Sequence, residues 1–114
     1  MKITFLEQYS YLGGGQIILL TLIKSLDENS EINIILPRGG NLENKIKKIK
    51  KKNIKFLNIN ANDFKYKKNN LISILKLLKN NLFVFFKYFN EIKYFDFLYC
   101  NAPRLFIFCA CVCV

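Results

Sequence analysis

What this chain lacks narrows its chemistry before any motif is read. It has no histidine, and its four cysteines, Cys100, Cys109, Cys111 and Cys113, fall in the last fifteen residues with three of them in a C-x-C-x-C pattern. Neither C-x-x-C spacing nor a second ligand cluster accompanies them, so a zinc site is not expected and no cofactor is implied. The cysteines read instead as small apolar residues in a reducing cytosol, buried or facing an apolar neighbour. A charged leader followed by an apolar core and a small-residue cleavage site is missing, which argues for a cytoplasmic protein. No G-x-G-x-x-G occurs, because Ile18 stands where its last glycine would be, and no G-x-x-x-x-G-K-[ST] loop occurs, which weakens both common nucleotide readings.

Acidic residues are also scarce: eight, against eighteen basic ones, giving a net charge of +10. All the basic residues except Arg38 and Arg104 are lysines, concentrated in 45–55 and 65–93. Such a surface attracts anions, whether sugar phosphates, lipid headgroups or nucleic acid, although lysines on solvated helix faces often bind nothing. A hydrophobic fraction of 52% with 15% aromatics excludes a disordered chain. At 114 residues one domain with a real core is expected.

Short apolar runs alternate with helical patterns, the βαβα layout of a mostly parallel sheet. The expected strands are 2–6, 32–36, 54–59 and 95–100. The expected helices are 15–26 with an apolar face of Leu19, Leu20, Ile23 and Leu26, a lysine-rich helix 42–52 anchored by Leu42, Ile46 and Ile49, and a long helix 71–92. The expected fold is therefore α/β, a Rossmann-like open parallel sheet of about four strands with helices on both faces, and incomplete. The uncharged run Leu105–Val114 reads as the start of a further buried helix that is cut off, and is too short to span a bilayer. The helix 71–92 carries Lys76, Lys79 and Lys87 among its apolar residues; these make spanning unfavourable and favour packing on the sheet, with an interfacial membrane helix as the alternative.

The richest local signal is the first turn. Strand 2–6 runs into Gly13-Gly14-Gly15-Gln16, where the backbone can turn sharply with no Cβ between its N–H groups and a ligand. The helix that follows aims unpaired N–H groups and its positive dipole end at the same spot, which suits a phosphate or diphosphate. A glycine cluster also serves simply to pack a helix close to its strand.

In order, Glu7-Gln8-Tyr9, Gly13-Gly14-Gly15-Gln16, Ile34-Ile35-Leu36-Pro37-Arg38-Gly39-Gly40, Leu42-Glu43 and Phe95-Asp96-Phe97-Leu98-Tyr99-Cys100-Asn101-Ala102-Pro103 resemble the N-terminal half of a family 4 glycosyltransferase of the GT-B fold. The resemblance implies an acceptor-side domain, residues 1–114, of an enzyme that transfers a sugar from a nucleotide-sugar donor to a glycan or lipid-linked acceptor. It implies no metal, since fixed N–H groups and cations can stabilise the leaving phosphate. The chain departs from the family at Cys100 and Asn101, where many relatives have histidine. It also departs in having no C-terminal donor-binding domain, so it is expected to be inactive unless a separate chain completes the cleft.

Ligands of open α/β sheets bind at the carboxyl ends of the strands, which assigns the candidate residues. Gly13, Gly14, Gly15 and Gln16 would bind donor phosphate. Glu7, Gln8, Arg38, Gly39, Gly40, Asn101 and Arg104 would line the acceptor side, and no nucleic acid is expected. The alternative is a stand-alone basic α/β module that binds anionic membrane or nucleic acid through interleaved lysines and aromatics.

Overall fold

The computed structural model describes residues 1–50, 53–60 and 70–101. Its order is β1 (Lys2–Glu7), α1 (Gly14–Ser25), β2 (Glu31–Pro37), α2 (Asn41–Lys47), β3 (Ile54–Ile59), α3 (Leu71–Ile92) and β4 (Phe97–Asn101). The four strands form one sheet in the order β3-β2-β1-β4, and all three pairings are parallel. This is the incomplete Rossmann-like α/β sheet expected from the alternating pattern. The chain winds outward through β1, β2 and β3, then crosses back beyond β1 to start β4, so strand order reverses between β1 and β4.

The strands in the middle are continuous apolar runs because both their faces are covered. On one face Ile3 and Phe5 of β1 and Ile32, Ile34 and Leu36 of β2 pack with Leu19 and Ile23 of α1 and Leu42 and Ile46 of α2. On the other, Leu6, Ile35, Leu57 and Ile59 pack with Val84, Tyr88 and Ile92 of α3. Leu19 and Ile23 are fully buried and Leu20 and Leu26 packed beside them, the face the spacing predicts.

Element ends have local causes. Asn70 caps α3, its Oδ1 accepting from the N–H groups of Ile72 (3.0 Å) and Ser73 (3.4 Å), an N-cap geometry that satisfies otherwise orphaned donors. The start of β4 is clamped to β1: the Asp96 N–H donates to the Lys2 carbonyl (2.8 Å) while the Lys2 N–H donates to Asp96 Oδ2 (2.7 Å). That clamp occupies Asp96, so β4 begins at Phe97 rather than Phe95. Helix α2 stops at Lys47 rather than Lys52. Ile49 turns in with a 2.9 Å bond from its N–H to the Ile46 carbonyl, and four lysines at 45, 47, 48 and 50 crowd like charges that disfavour continuation.

A polar row crosses the face beneath α3. Thr4 pairs in register with Asn33, and Asn33 with Lys55. Asn33 Nδ2 donates to the Glu91 carbonyl (3.1 Å), and Lys55 Nζ lies 4.0 Å from the Glu91 carboxylate. Thr4 is fully buried, yet its hydroxyl has no hydrogen-bond partner among the described residues. A buried unsatisfied hydroxyl costs about 1–3 kcal/mol. Thr4→Val is therefore expected to stabilise the chain by about 1 kcal/mol, read as a higher urea midpoint at unchanged slope; a lower midpoint would show that the hydroxyl is satisfied.

No helix among the described residues is long and apolar enough to cross a membrane. Cys100 is not buried, one of the two alternatives read for the cysteines: it is exposed on β4, an outer strand of the sheet among the described residues. Residues 102–114, with Arg104, Cys109, Cys111, Cys113 and the run 105–114, lie outside the described residues, as do 51–52 and 61–69.

Candidate functional site at the strand-order reversal

The carboxyl ends of β1 and β4 meet where the strand order reverses, and Glu7 pairs in register with Asn101 there. Open α/β sheets hold ligands in the crevice at this point, because the flanking loops diverge to opposite faces. The next residues after β1 fold over the crevice and lead into α1.

Glu7 is fully buried. Its Oε1 accepts from the backbone N–H groups of Gln8 (2.8 Å) and Tyr9 (3.0 Å), and its Oε2 accepts from Asn101 Nδ2 (2.6 Å). The carboxylate thus folds the chain leaving β1 and ties it to the end of β4. With its oxygens occupied and no exposed surface, Glu7 holds the crevice together rather than presenting a base to a ligand. Gln8 is half-buried directly after it.

Asn101 is held over Gly15. A Cβ built on Gly15 would lie 3.0 Å from Asn101 Nδ2, so the first turn of α1 fits against the β4 end because no side chain intervenes. Gly13 and Gly14 are exposed above it. Gly13 is the N-cap and supplies no side-chain hydrogen bond, and the first helical bond runs from the Ile17 N–H to the Gly13 carbonyl (3.0 Å). The N–H groups of Gly14, Gly15 and Gln16 therefore have no i−4 carbonyl to bond. Among the described residues no side chain caps them, which leaves a local excess of positive potential at the crevice. Gln16 is itself mostly buried, with its side-chain oxygen so near Gly13 that a Cβ there would meet it at 2.8 Å.

The second loop of the rim follows β2. The Arg38 N–H donates to the Ile59 carbonyl (3.2 Å), which extends the sheet by one bond and leaves the residue exposed. Gly39 has φ of 82°, the left-handed region in which a Cβ is strained. Gly40 then lies directly on Ser10 of the first loop: a Cβ on Gly40 would overlap the Ser10 carbonyl. Two hydrogen bonds cross this contact, from the Leu42 N–H to the Ser10 carbonyl (3.0 Å) and from the Leu12 N–H to Asn41 Oδ1 (3.1 Å). The two glycine turns form one stitched rim.

Of the residues singled out from sequence, Glu7, Gly15 and Asn101 converge on one point, Gly13, Gly14 and Gln16 stand immediately beside it, and Gly39 and Gly40 join through Ser10. Arg38 is exposed at the start of the second turn, and Arg104 lies outside the described residues. Ser10 and Asn41 were missed as rim residues. Asn41, directly after a Gly-Gly pair and before an apolar helix start, carries the composition of a cap position; Ser10 carries no such signal, because its role is a carbonyl contact made across 30 residues of chain.

Chemically the rim offers backbone donors and the positive end of α1 to an anionic oxygen. Among the described residues, no three of His, Cys, Asp or Glu come together as a metal site would require. The chain matches no family model, no curated protein and no solved structure.

Proposed function

We propose that this chain is the acceptor-side, N-terminal Rossmann-like unit of a GT-B glycosyltransferase, with the rim at Gly13–Gln16 binding the diphosphate of a nucleotide-sugar donor. The observation that carries this reading is the convergence of Glu7, Asn101 and Gly15 beneath an uncapped, glycine-lined helix end at the strand-order reversal. Backbone N–H groups already fixed in place stabilise charge developing on a leaving phosphate without reorganisation. Glu7 and Asn101 position the loop, and Arg38, Gly39 and Gly40 border the acceptor side. The reaction requires a donor-binding domain, supplied by further chain or by a separate polypeptide, and the acceptor is a glycan or a lipid-linked glycan. The location that follows is cytoplasmic, with peripheral contact at the inner membrane face when the acceptor is lipid-linked.

The test is calorimetric titration of the chain with inorganic pyrophosphate and with uridine diphosphate at low salt. Gly14 is the diagnostic position: a Cβ there meets nothing within 4 Å, so Gly14→Ala keeps the fold while placing a methyl group among the donors. Binding by the parent chain that weakens about tenfold in Gly14→Ala, about 1.4 kcal/mol, is the expected result. Absent binding, or equal binding by both proteins, overturns the assignment of phosphate to this turn.

A second reading has its own observation. The solvent-facing crest of α3 carries Ile72, Phe83 and Phe86, 78%, 63% and 73% exposed, beside Lys76, Lys79 and Lys87, with no acidic residue between Leu71 and Asn90. Basic crests with exposed aromatics attach to anionic bilayers. Salt-sensitive cosedimentation with vesicles containing phosphatidylserine, absent with phosphatidylcholine alone, is the result this reading requires.

A further inference from the structure

A cavity of about 490 Å³ opens between the first residues of β1, β2 and β3 and the last turn of α3, at the opposite edge of the sheet from the glycine rim. That volume falls within the range of small-molecule sites. Its lining includes Lys2, Glu31, Asn33, Asn53, Lys55 and Glu91, so ammonium groups, carboxylates and carboxamides meet in one hollow. The charges are not closed on one another. Lys2 and Glu31 are cross-strand neighbours in register, a placement at which opposite charges stabilise a sheet by pairing, yet no ion pair joins them among the described residues. Lys55 Nζ stands 4.0 Å from Glu91 Oε1, beyond hydrogen-bonding distance. Glu91 Oε2 is buried and has no hydrogen-bond partner among the described residues. Glu91 is also placed against the helix field, because the C-terminal end of a helix is its negative end and the last turn of α3 holds no basic residue. Lys93, the next cation along the chain, lies over the Tyr94 ring at 5.1 Å. Asn33, itself buried, donates to the Glu91 carbonyl and so fixes the helix end over the cavity.

We propose that this cavity binds a zwitterionic α-amino acid, with the ligand's ammonium group on Glu91 and its carboxylate on the Lys2 and Lys55 ammonium groups. The charges around the hollow select against simpler ions. A bare cation is repelled by the +10 charge of the chain, and a bare anion meets Glu31 and Glu91. A molecule of zero net charge that carries both signs close together avoids both repulsions, and it gives the loosely matched Lys55 and Glu91 a partner each. The last torsion of a glutamate side chain has broad minima, so rotation brings either Glu91 oxygen to the ligand's ammonium. Hydrogen bonds in which both groups are charged are about twice as strong as neutral ones. The proposal is independent of the sugar-transfer reading.

The test is a nuclear magnetic resonance titration of the full chain, at neutral pH and low salt, with the proteinogenic L-amino acids, pooled and then singly. Each amino acid that binds is compared with its carboxamide, which keeps only the ammonium group, and with its N-acetyl derivative, which keeps only the carboxylate. The expected result is saturable shifts of the Asn33, Lys55 and Glu91 backbone N–H signals with at least one free amino acid, and binding about tenfold weaker or less for either derivative. Glu91→Gln keeps the shape and removes the charge, and is expected to weaken binding about tenfold. Lys55→Gln repeats the measurement should Glu91→Gln impair folding. No shift with any amino acid, shifts confined to the glycine rim, a derivative that binds as well as its parent, or binding unchanged in both variants overturns the proposal.

Discussion

Gly40→Ala is expected to destabilise the chain by about 3 kcal/mol or more, enough to leave a marginal domain largely unfolded at room temperature. The added Cβ would overlap the Ser10 carbonyl oxygen and carbon, which are backbone atoms that no rotamer change can move. Separation of the two loops would also break the bond from the Leu42 N–H to the Ser10 carbonyl, a further cost of about 1 kcal/mol. Small domains have total stabilities of about 5–15 kcal/mol, so the loss is a large fraction of the whole. Gly39→Ala is the control. A Cβ there meets nothing within 4 Å but must adopt φ of 82°, which costs about 1–2 kcal/mol. Urea unfolding followed by circular dichroism ranks the two. A Gly40→Ala midpoint at or above that of Gly39→Ala would show that the two turns are not in contact.

Glu7→Ala is the other change with a large expected effect, at least about 3 kcal/mol. It removes the acceptor for two backbone N–H groups and for Asn101 at once, and it leaves a void at a fully buried position. Buried donors stripped of an acceptor lose more than the net worth of a hydrogen bond, because water does not replace the partner. The pair Glu7→Ala and Asn101→Ala should be non-additive by about 0.5–3 kcal/mol, the double variant costing less than the sum of the singles. Strict additivity would mean that the carboxylate and the amide are not bonded. The same variants bear on binding: a loop no longer tied to β4 should weaken pyrophosphate along with stability, whereas Gly14→Ala should weaken pyrophosphate alone.

The parts of the site that could be read from sequence are those whose signal is local. A strand expected to end at Leu6, just before Glu7, and a glycine triplet that opens an apolar helix lie within eleven residues, and each follows from backbone freedom and periodicity. The helix 71–92 and strand 54–59 were legible to the residue, because Asn70 caps the one and turn-forming polar residues bound the other. Boundaries failed where a distant partner intervened. The Asp96–Lys2 clamp links residues 94 apart in sequence and delays β4, and Cys100 is exposed rather than buried because strand order, which places β4 at the outside of the described sheet, is not written in local spacing.

Composition and periodicity by themselves determined the α/β class, the alternation of strands and helices, the apolar faces of α1 and α2 and the presence of a glycine turn after the first strand. They do so because side-chain direction repeats every 2 residues in a strand and every 3.6 in a helix, so that burial is written into spacing. Only the tertiary structure decided that β4 lies beside β1 rather than β3, and with it everything that depends on that adjacency. Glu7 meets Asn101, and Asn101 meets Gly15. No local pattern encodes these contacts. They arise because one crossover returns across the sheet, and the sheet geometry then brings residues far apart in the chain within hydrogen-bonding distance.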